Sequence, residues 1–292
     1  MRYESLAPEL KAWLKQSVEQ GCDPRAIEQA MCAAGHPKKF ARRAVQLACE
    51  QFGPTEAPSP PAVPETDAAS AMPSAHAILS ESSNAIETID RQVDILFALN
   101  APRIILFGNF LSHEECDELR ALAEPKLSRS TVVDAQSGSF EVHPARTSRG
   151  GHFLRGENEL IRRIEARADD LLGCPEENGE PIQILHYLPG AEYKAHFDYF
   201  DPNMPGAQKV LATGGQRVAT LIMYLNDVIS GGSTVFPEVG MDVLPKKGHA
   251  VFFAYATEDG QVDPRTLHGG SPVREGEKWI ATKGIRQRRY GA

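Results

Sequence analysis

Two histidines, one aspartate and one lysine in the second half of the chain form a set with a recognisable chemistry. His196 and Asp198 stand two apart in Tyr193-Lys194-Ala195-His196-Phe197-Asp198, His268 lies far downstream beside Gly269-Gly270, and Lys278 follows ten residues later. Two neutral imidazoles and a carboxylate can bind one face of a ferrous ion, leaving the opposite positions open for a cosubstrate and dioxygen. A fixed ammonium nearby can hold the far carboxylate of a dicarboxylate cosubstrate. His-X-Asp alone is a weak signal, because a chain of this length can contain one by chance. A single histidine is more often a hydrogen-bonded core or surface group than a ligand. His36, His76, His113, His143, His152, His186 and His249 keep that ordinary reading.

These groups need rigid elements to bring them together. In an extended strand His196 and Asp198 project to one face, since side-chain direction repeats every two residues. A third ligand must then arrive from a strand distant in sequence, and the stretch Leu267-His268-Gly269-Gly270 offers one. Strand-like segments dominate after Pro181, at Ile182–Leu188, Val218–Leu225, Gly248–Ala256 and Trp279–Thr282, separated by Gly/Pro turns. Before them, Ile104–Phe107 reads as a strand. Ser112 and Glu115 form a capping box for a helix starting at His113, and Leu160–Leu172 is amphipathic. Helices followed by a run of strands predict an α+β class. A double-stranded β-helix, or jelly roll, with packing helices would place a metal in its open mouth.

Residues 1–53 read as a small all-helical module. Leu10, Trp13, Leu14 and Val18 recur at helical spacing, Asp23-Pro24 opens a second helix with Ile27, Ala30 and Met31, and a third carries Phe40, Ala44, Val45, Leu47 and Ala48. From Pro54 the composition turns to Pro, Ala, Ser, Thr and Glu, predicting a linker over 54–84 and a catalytic domain over 85–292.

The chain has 292 residues, 41% of them apolar, and a formal net charge of −8, which argues against a general electrostatic grip on nucleic acid. The basic run Arg286-Gln287-Arg288-Arg289 reads as a solvated terminal strand or tail. The five cysteines are scattered and form no C-x-x-C pair, so neither a disulfide framework nor a zinc knuckle is expected. With no apolar run of membrane-spanning length and no signal core at the N-terminus, the expected setting is a reducing cytoplasm, without a membrane partner.

Seven ordered blocks give the second half a more specific character. They are Arg146-Thr147-Ser148 with Phe153-Leu154; Gln183-Ile184-Leu185-His186-Tyr187; Tyr193 through Phe200; Gly215 through Thr220; Gly231 through Pro237; Pro245-Lys246-Lys247-Gly248; and His268 with Lys278-Trp279. From about residue 140 to 292 the sequence resembles the catalytic domain of the prolyl 4-hydroxylases, within the Fe(II)- and 2-oxoglutarate-dependent dioxygenases. The resemblance implies His196, Asp198 and His268 as iron ligands and Lys278 as the partner of the 2-oxoglutarate 5-carboxylate. It implies Tyr187 in the cosubstrate pocket, with Tyr193 and Arg217 on the substrate side. It also implies ascorbate as a reductant, and hydroxylation of a peptidyl proline with O2 and release of succinate and CO2.

One departure bears on substrate. Collagen-type members of that family carry a tryptophan six residues after the lysine and a histidine eight after it; here those positions are Gly284 and Arg286. Loss of an aromatic platform, and a guanidinium in place of an imidazole, should change peptide contacts. The same chemistry on a free amino acid or other small molecule is one alternative. A noncatalytic partner-binding module is another, against which the complete set of four chemical residues argues.

Overall fold

The computed structural model describes residues 6–19, 38–52, 84–133, 139–141, 143–255 and 261–291, with Tyr3, Ile27, Ala30, Met31, Ala34, His36 and Ser137 as isolated positions. The chain divides into two compact units, Met1–Asp67 and Ala68–Ala292.

In the first unit, α1 (Pro8–Glu19) and α2 (Lys38–Phe52) bring their apolar faces together. Leu14 and Val18 pack with Ala41, Ala44, Val45 and Ala48, and Ile27 and Met31 are buried in the same core. The predicted second helix lies outside the described residues apart from Ile27, Ala30 and Met31. So does the predicted linker, up to position 83.

The second unit opens with β1 (Ala85–Glu87), β2 (Gln92–Asn100) and β3 (Arg103–Gly108), then α3 (His113–Ala123), β4 (Ser128–Arg129), β5 (Val132–Val133), β6 (Phe140–Glu141) and β7 (Arg149–His152). Next come α4 (Glu159–Leu172), β8 (Gln183–Tyr187), β9 (Tyr193–His196), α5 (Ala207–Leu211) and β10 (Arg217–Tyr224). The chain finishes through β11 (Ser230–Gly231), β12 (Thr234–Phe236), β13 (Met241–Val243), β14 (Ala250–Ala254), β15 (His268–Gly270), β16 (Val273–Glu275) and β17 (Lys278–Arg286). The capping box at α3 is present in both halves: Ser112 accepts from Glu115 N, and the Glu115 side chain accepts from Ser112 N.

A nine-stranded sheet runs β1-β2-β3-β14-β10-β17-β8-β7-β4, and a four-stranded sheet runs β13-β12-β15-β9. The pairings are antiparallel throughout. Period-2 alternation gives the large sheet two different faces. One face, with Ala219, Leu221 and Met223 of β10 and Trp279, Ala281 and Ile285 of β17, packs under α3 and α4. α4 contributes Leu160, Ile161, Ile164, Ala168, Leu171 and Leu172, all buried, and burial of each large apolar side chain stabilises by ~1.5–3 kcal/mol. The opposite face, with Leu185, Ile222, Val251, Phe253 and Ile280, packs against Phe236 of β12 and Val243 of β13 in the small sheet. This is the sandwich the strand pattern predicts, with helices on the outer face of the larger sheet. Among the described residues, no helix is long and apolar enough to cross a membrane.

Two expectations need correction. The last strand is longer than Trp279–Thr282 and carries Arg286 into the interior, where it is 2% exposed. The run at 286–289 is therefore not uniformly a solvated tail; only Gln287, Arg288 and Arg289 are exposed. Pairing with β10 over its whole length extends the strand: Arg286 lies opposite Arg217. Second, β9 ends at His196, so Asp198 sits in a bend beyond the strand and not within it.

Candidate active site

The ligand set is assembled by the small sheet. β9 and β15 pair antiparallel with His268 directly opposite His196, and the two rings lie 4.5 Å apart between centroids. The glycine after His268 is part of that geometry: a Cβ at Gly269 would meet the Tyr193 carbonyl oxygen at 2.8 Å. The bend after β9 turns the Asp198 carboxylate back toward both imidazoles. Its Oδ1 is 3.5 Å from His196 Nε2, and its Oδ2 is 3.6 Å from His268 Nε2. The donor atoms of these three residues all lie within 4.8 Å of one another.

The orientation of each donor is fixed by a second contact. His196 Nδ1 lies 2.8 Å from the Lys194 carbonyl, and His268 Nδ1 lies 3.1 Å from the Thr266 carbonyl. An Nδ1–H donating to a carbonyl leaves Nε2 as the free lone pair, the tautomer a metal requires. Burial pushes the His268 imidazole down to about 4, so the ring is neutral at neutral pH. Burial by itself would raise the Asp198 carboxyl, but His268, His196 and Arg217 outweigh it and hold the group well below the usual carboxylate range. Two hydroxyls, from Thr220 and Tyr255, each lie 2.8 Å from Asp198 Oδ2, and the two hydroxyls also contact each other. Two imidazoles presenting Nε2 and one anionic carboxylate fit a ferrous ion bound on one face.

Lys278 opens β17, directly opposite Tyr187 of β8. The ammonium sits over the Tyr187 ring at 5.6 Å and the Tyr224 ring at 5.9 Å, and the residue is 3% exposed. Burial pushes its ammonium down to about 7, with no anion beside it among the described residues to offset the cost. A buried lysine without a counter-ion is costly unless an anion arrives to pair with it. Tyr187 is itself buried, with Ser148 and Arg146 beside its hydroxyl. Tyr193 stacks on the His196 ring at 3.7 Å, and the Arg146 guanidinium lies over the Tyr193 ring at 4.9 Å.

His196, Asp198, His268, Thr220, Lys278, Tyr187, Tyr193 and Arg146 line one cavity of about 770 Å³, which also reaches Glu180, Arg217 and Arg286. Alternate residues of β8, β10 and β17 (Leu185 and Tyr187, Thr220 and Ile222, Lys278 and Ile280) line it, as the pleat dictates. Arg217 is fully engaged. Its Nε and NH2 donate to the two Glu180 carboxylate oxygens at 3.0 and 2.9 Å, and NH1 donates to the Asp198 backbone carbonyl at 3.0 Å. Gly284 lies beneath this pair: a Cβ there would meet Glu180 Oε2 at 2.7 Å and Arg217 Nε at 3.0 Å. The space an aromatic residue would need is occupied by an ion pair.

The structure therefore brings His196, Asp198, His268, Lys278, Tyr187, Tyr193 and Arg217 into one cavity. Sequence reasoning missed Thr220, Tyr255 and Glu180. Thr220 alternates with Ile222 and Tyr224 along β10, a period-2 signal for the inner face, but nothing local marks Tyr255 as a neighbour of Asp198 or Glu180 as the partner of Arg217. Of the remaining histidines, His152 is exposed at the cavity wall, while His186 is on the helix-facing side, stacked on Trp279 at 4.0 Å and paired with Glu277. His76 lies outside the described residues.

Comparison with known proteins places these features in context. Residues 182–286 match the family model described as the 2OG-Fe(II) oxygenase superfamily. The chain is 41% identical over 201 residues to "Prolyl 4-hydroxylase 5" of Arabidopsis thaliana, spanning 62% of this chain and 67% of that protein. It is 44% identical over 203 residues to "Prolyl 4-hydroxylase 1" of the same plant, spanning 64% and 70%. Among solved structures it is similar to the viral collagen prolyl hydroxylase of Paramecium Bursaria Chlorella virus-1 in its 2OG complex. That match has 32% identity and a TM-score of 0.50, and covers 63% of this chain and 95% of the viral one.

Proposed function

The chain belongs to the prolyl 4-hydroxylase family of Fe(II)- and 2-oxoglutarate-dependent dioxygenases, and from that premise we propose that it hydroxylates a prolyl residue within a polypeptide. The observation that carries this reading is the His196/Asp198/His268 cluster and the buried, uncompensated Lys278 facing one cavity. Its volume of about 770 Å³ leaves room for a prolyl ring beside the cosubstrate.

The roles follow from the contacts. His196 Nε2, His268 Nε2 and Asp198 hold the iron, and the carbonyls of Lys194 and Thr266 keep the two rings in the metal-binding tautomer. Thr220 and Tyr255 hold the Asp198 carboxylate by Oδ2 and orient it toward the metal. Lys278 pairs with the 5-carboxylate of 2-oxoglutarate, and Tyr187, its cross-strand neighbour, supplies a hydroxyl to the same pocket. When bound, iron and 2-oxoglutarate would supply the oxidative step: 2-oxoglutarate is decarboxylated to succinate and CO2, one oxygen atom of O2 entering the succinate and the other the hydroxylated C–H bond. Tyr193 and Arg217 border the substrate: Tyr193 closes the wall beside His196, and Arg217 fixes the backbone of Asp198 from the substrate side. Ascorbate belongs to the same reading, as the reductant that returns the iron to its ferrous state.

The domain organisation we infer is a helical module over 1–53, a linker over 54–84 and the oxygenase domain over 85–292. A cytoplasmic setting completes the proposal, supported by free thiols at Cys49, Cys116 and Cys174.

Anaerobic titration with Fe(II) and 2-oxoglutarate, followed by air and a library of proline-containing peptides, tests the reading. Peptide-dependent succinate, with one oxygen added to a proline, is the expected result. Cosubstrate turnover that no peptide stimulates would move the substrate to a free amino acid or another small molecule.

A further inference from the structure

The segment from Asp201 to Gly215 connects the metal-ligand bend to β10 and forms one wall of the cavity, with Met204, Ala207 and Val210 lining it. Its own structure is a run of turns around one short helix, with Met204 N–H donating to the Asp201 carbonyl and Gly215 N–H to the Leu211 carbonyl. α5 is five residues long and has no side-chain N-cap, and so short a helix does not hold itself together in water. At its base, Gln216 bonds both the N–H and the carbonyl of Phe200. Farther along, the end of β17 and the bend after it hold it twice: the Arg288 N–H donates to the Gly214 carbonyl at 2.9 Å, and the Arg286 side chain, through NH2, donates to the Val210 carbonyl at 3.0 Å and to the Thr213 carbonyl at 2.7 Å. Both lie at the helix end, where carbonyls run short of intrahelical donors; Val210 O also accepts from the Thr213 N–H at 3.3 Å.

Arg286 is held tightly for this purpose. Its guanidinium lies 5.0 Å from the Phe200 ring and 5.4 Å from the Tyr290 ring. Its Nε is 3.1 Å from Glu180 Oε1, an ion pair lacking hydrogen-bond geometry, and the residue is 2% exposed. A guanidinium has the reach and the fork to engage two carbonyls from one nitrogen while lying flat against aromatic faces. An imidazole at the same place is too short for both.

We propose that Arg286 is a positioning residue that sets peptide specificity: it latches segment 201–215 as a preformed wall, against which the residue flanking the target proline packs. Met204, Ala207 and Val210 supply the apolar stretch of that wall, with Asp201 at its start, so the preferred flanking residue is an apolar one packed on that stretch. This rests on the peptide-hydroxylase reading, but the latch itself is measurable without any substrate.

Hydrogen exchange read by mass spectrometry on the full chain, for wild type, Arg286→His and Arg286→Lys, decides it. Arg286→His should raise exchange in residues 201–215 about tenfold and leave the rest of the oxygenase domain protected. The peptide KM should rise about tenfold, a larger factor than any change in the 2-oxoglutarate KM or in peptide-independent decarboxylation. Arg286→Lys keeps a donor for one carbonyl and should restore part of both effects. Unchanged protection of 201–215 in Arg286→His overturns the latch, as does loss of protection spread over the whole domain in both variants. A wild-type preference for charged flanking residues overturns the apolar wall. If no peptide is turned over, the peptide reading falls while the exchange result still decides the latch.

Discussion

Lys278 shows how one buried charge can be both a cost and a selector. Burial holds its ammonium at about 7 in the absence of an anion. Only the protonated form pairs with a carboxylate, so above that pH cosubstrate binding must take up a proton. The Kd for 2-oxoglutarate should therefore weaken by up to tenfold per pH unit above about 7.5, and anaerobic calorimetry in buffers of different ionisation enthalpy will count the proton. For the cosubstrate-free protein the sign is opposite. The folded pKa is depressed below the unfolded one, so this group's contribution to stability rises as pH climbs from 7 toward 10. Lys278→Ala should weaken 2-oxoglutarate binding about a hundredfold with Fe(II) affinity little changed. At the metal, Tyr255→Phe removes one of two hydroxyls from Asp198 Oδ2, and support of this kind is worth about 10- to 100-fold in metal affinity. A Co(II) titration with its visible spectrum will measure that loss, whereas His268→Ala should abolish both binding and turnover.

At the scale of elements, α4 does more than cover the sheet. Arg167, 1% exposed at its side chain, reaches from its middle to Glu115 at the N-terminus of α3 and to Asp90 before β2, and donates to the Phe110 carbonyl. Burial would raise the Glu115 carboxyl, but Arg167 and the Ser112 N–H more than offset it and bring the group down to about 2. The capping box at Ser112 thus also anchors a buried ion network joining two helices. Arg167→Ala leaves Glu115 buried without its main partner and should cost about 3–5 kcal/mol, measurable by urea unfolding of the oxygenase domain. This element-level link was only half legible in the sequence. Ser112 and Glu115 announce a helix start through a local rule, whereas Arg167 on an amphipathic helix looks like any surface arginine.

Considered as a whole molecule, the chain keeps its chemistry in one unit. The cavity, the His196/Asp198/His268 cluster and Lys278 all belong to Ala68–Ala292, while α1 and α2 bury their own core within Met1–Asp67. Deleting residues 1–73 should therefore leave Fe(II) binding and peptide-independent decarboxylation of 2-oxoglutarate unchanged. Lower succinate formation in the truncated protein would show that the helical module supports the oxygenase domain. A change confined to the peptide KM would give the module a role in substrate docking.

What the sequence determined by itself is the chemistry. His196, Asp198, His268 and Lys278 are marked by residue type and spacing, because ferrous coordination and carboxylate pairing admit few side chains. The main strands of the large sheet are marked because a buried face imposes a period of two. The tertiary structure decided what surrounds those groups. Thr220 reaches Asp198 from β10, and Tyr255 arrives through the pairing of β10 with β14. Glu180 fills the space above Gly284, and Arg286 turns from an apparent tail residue into an interior latch. These contacts join residues tens of positions apart across antiparallel strands, and register, unlike periodicity, is fixed only when the strands have paired.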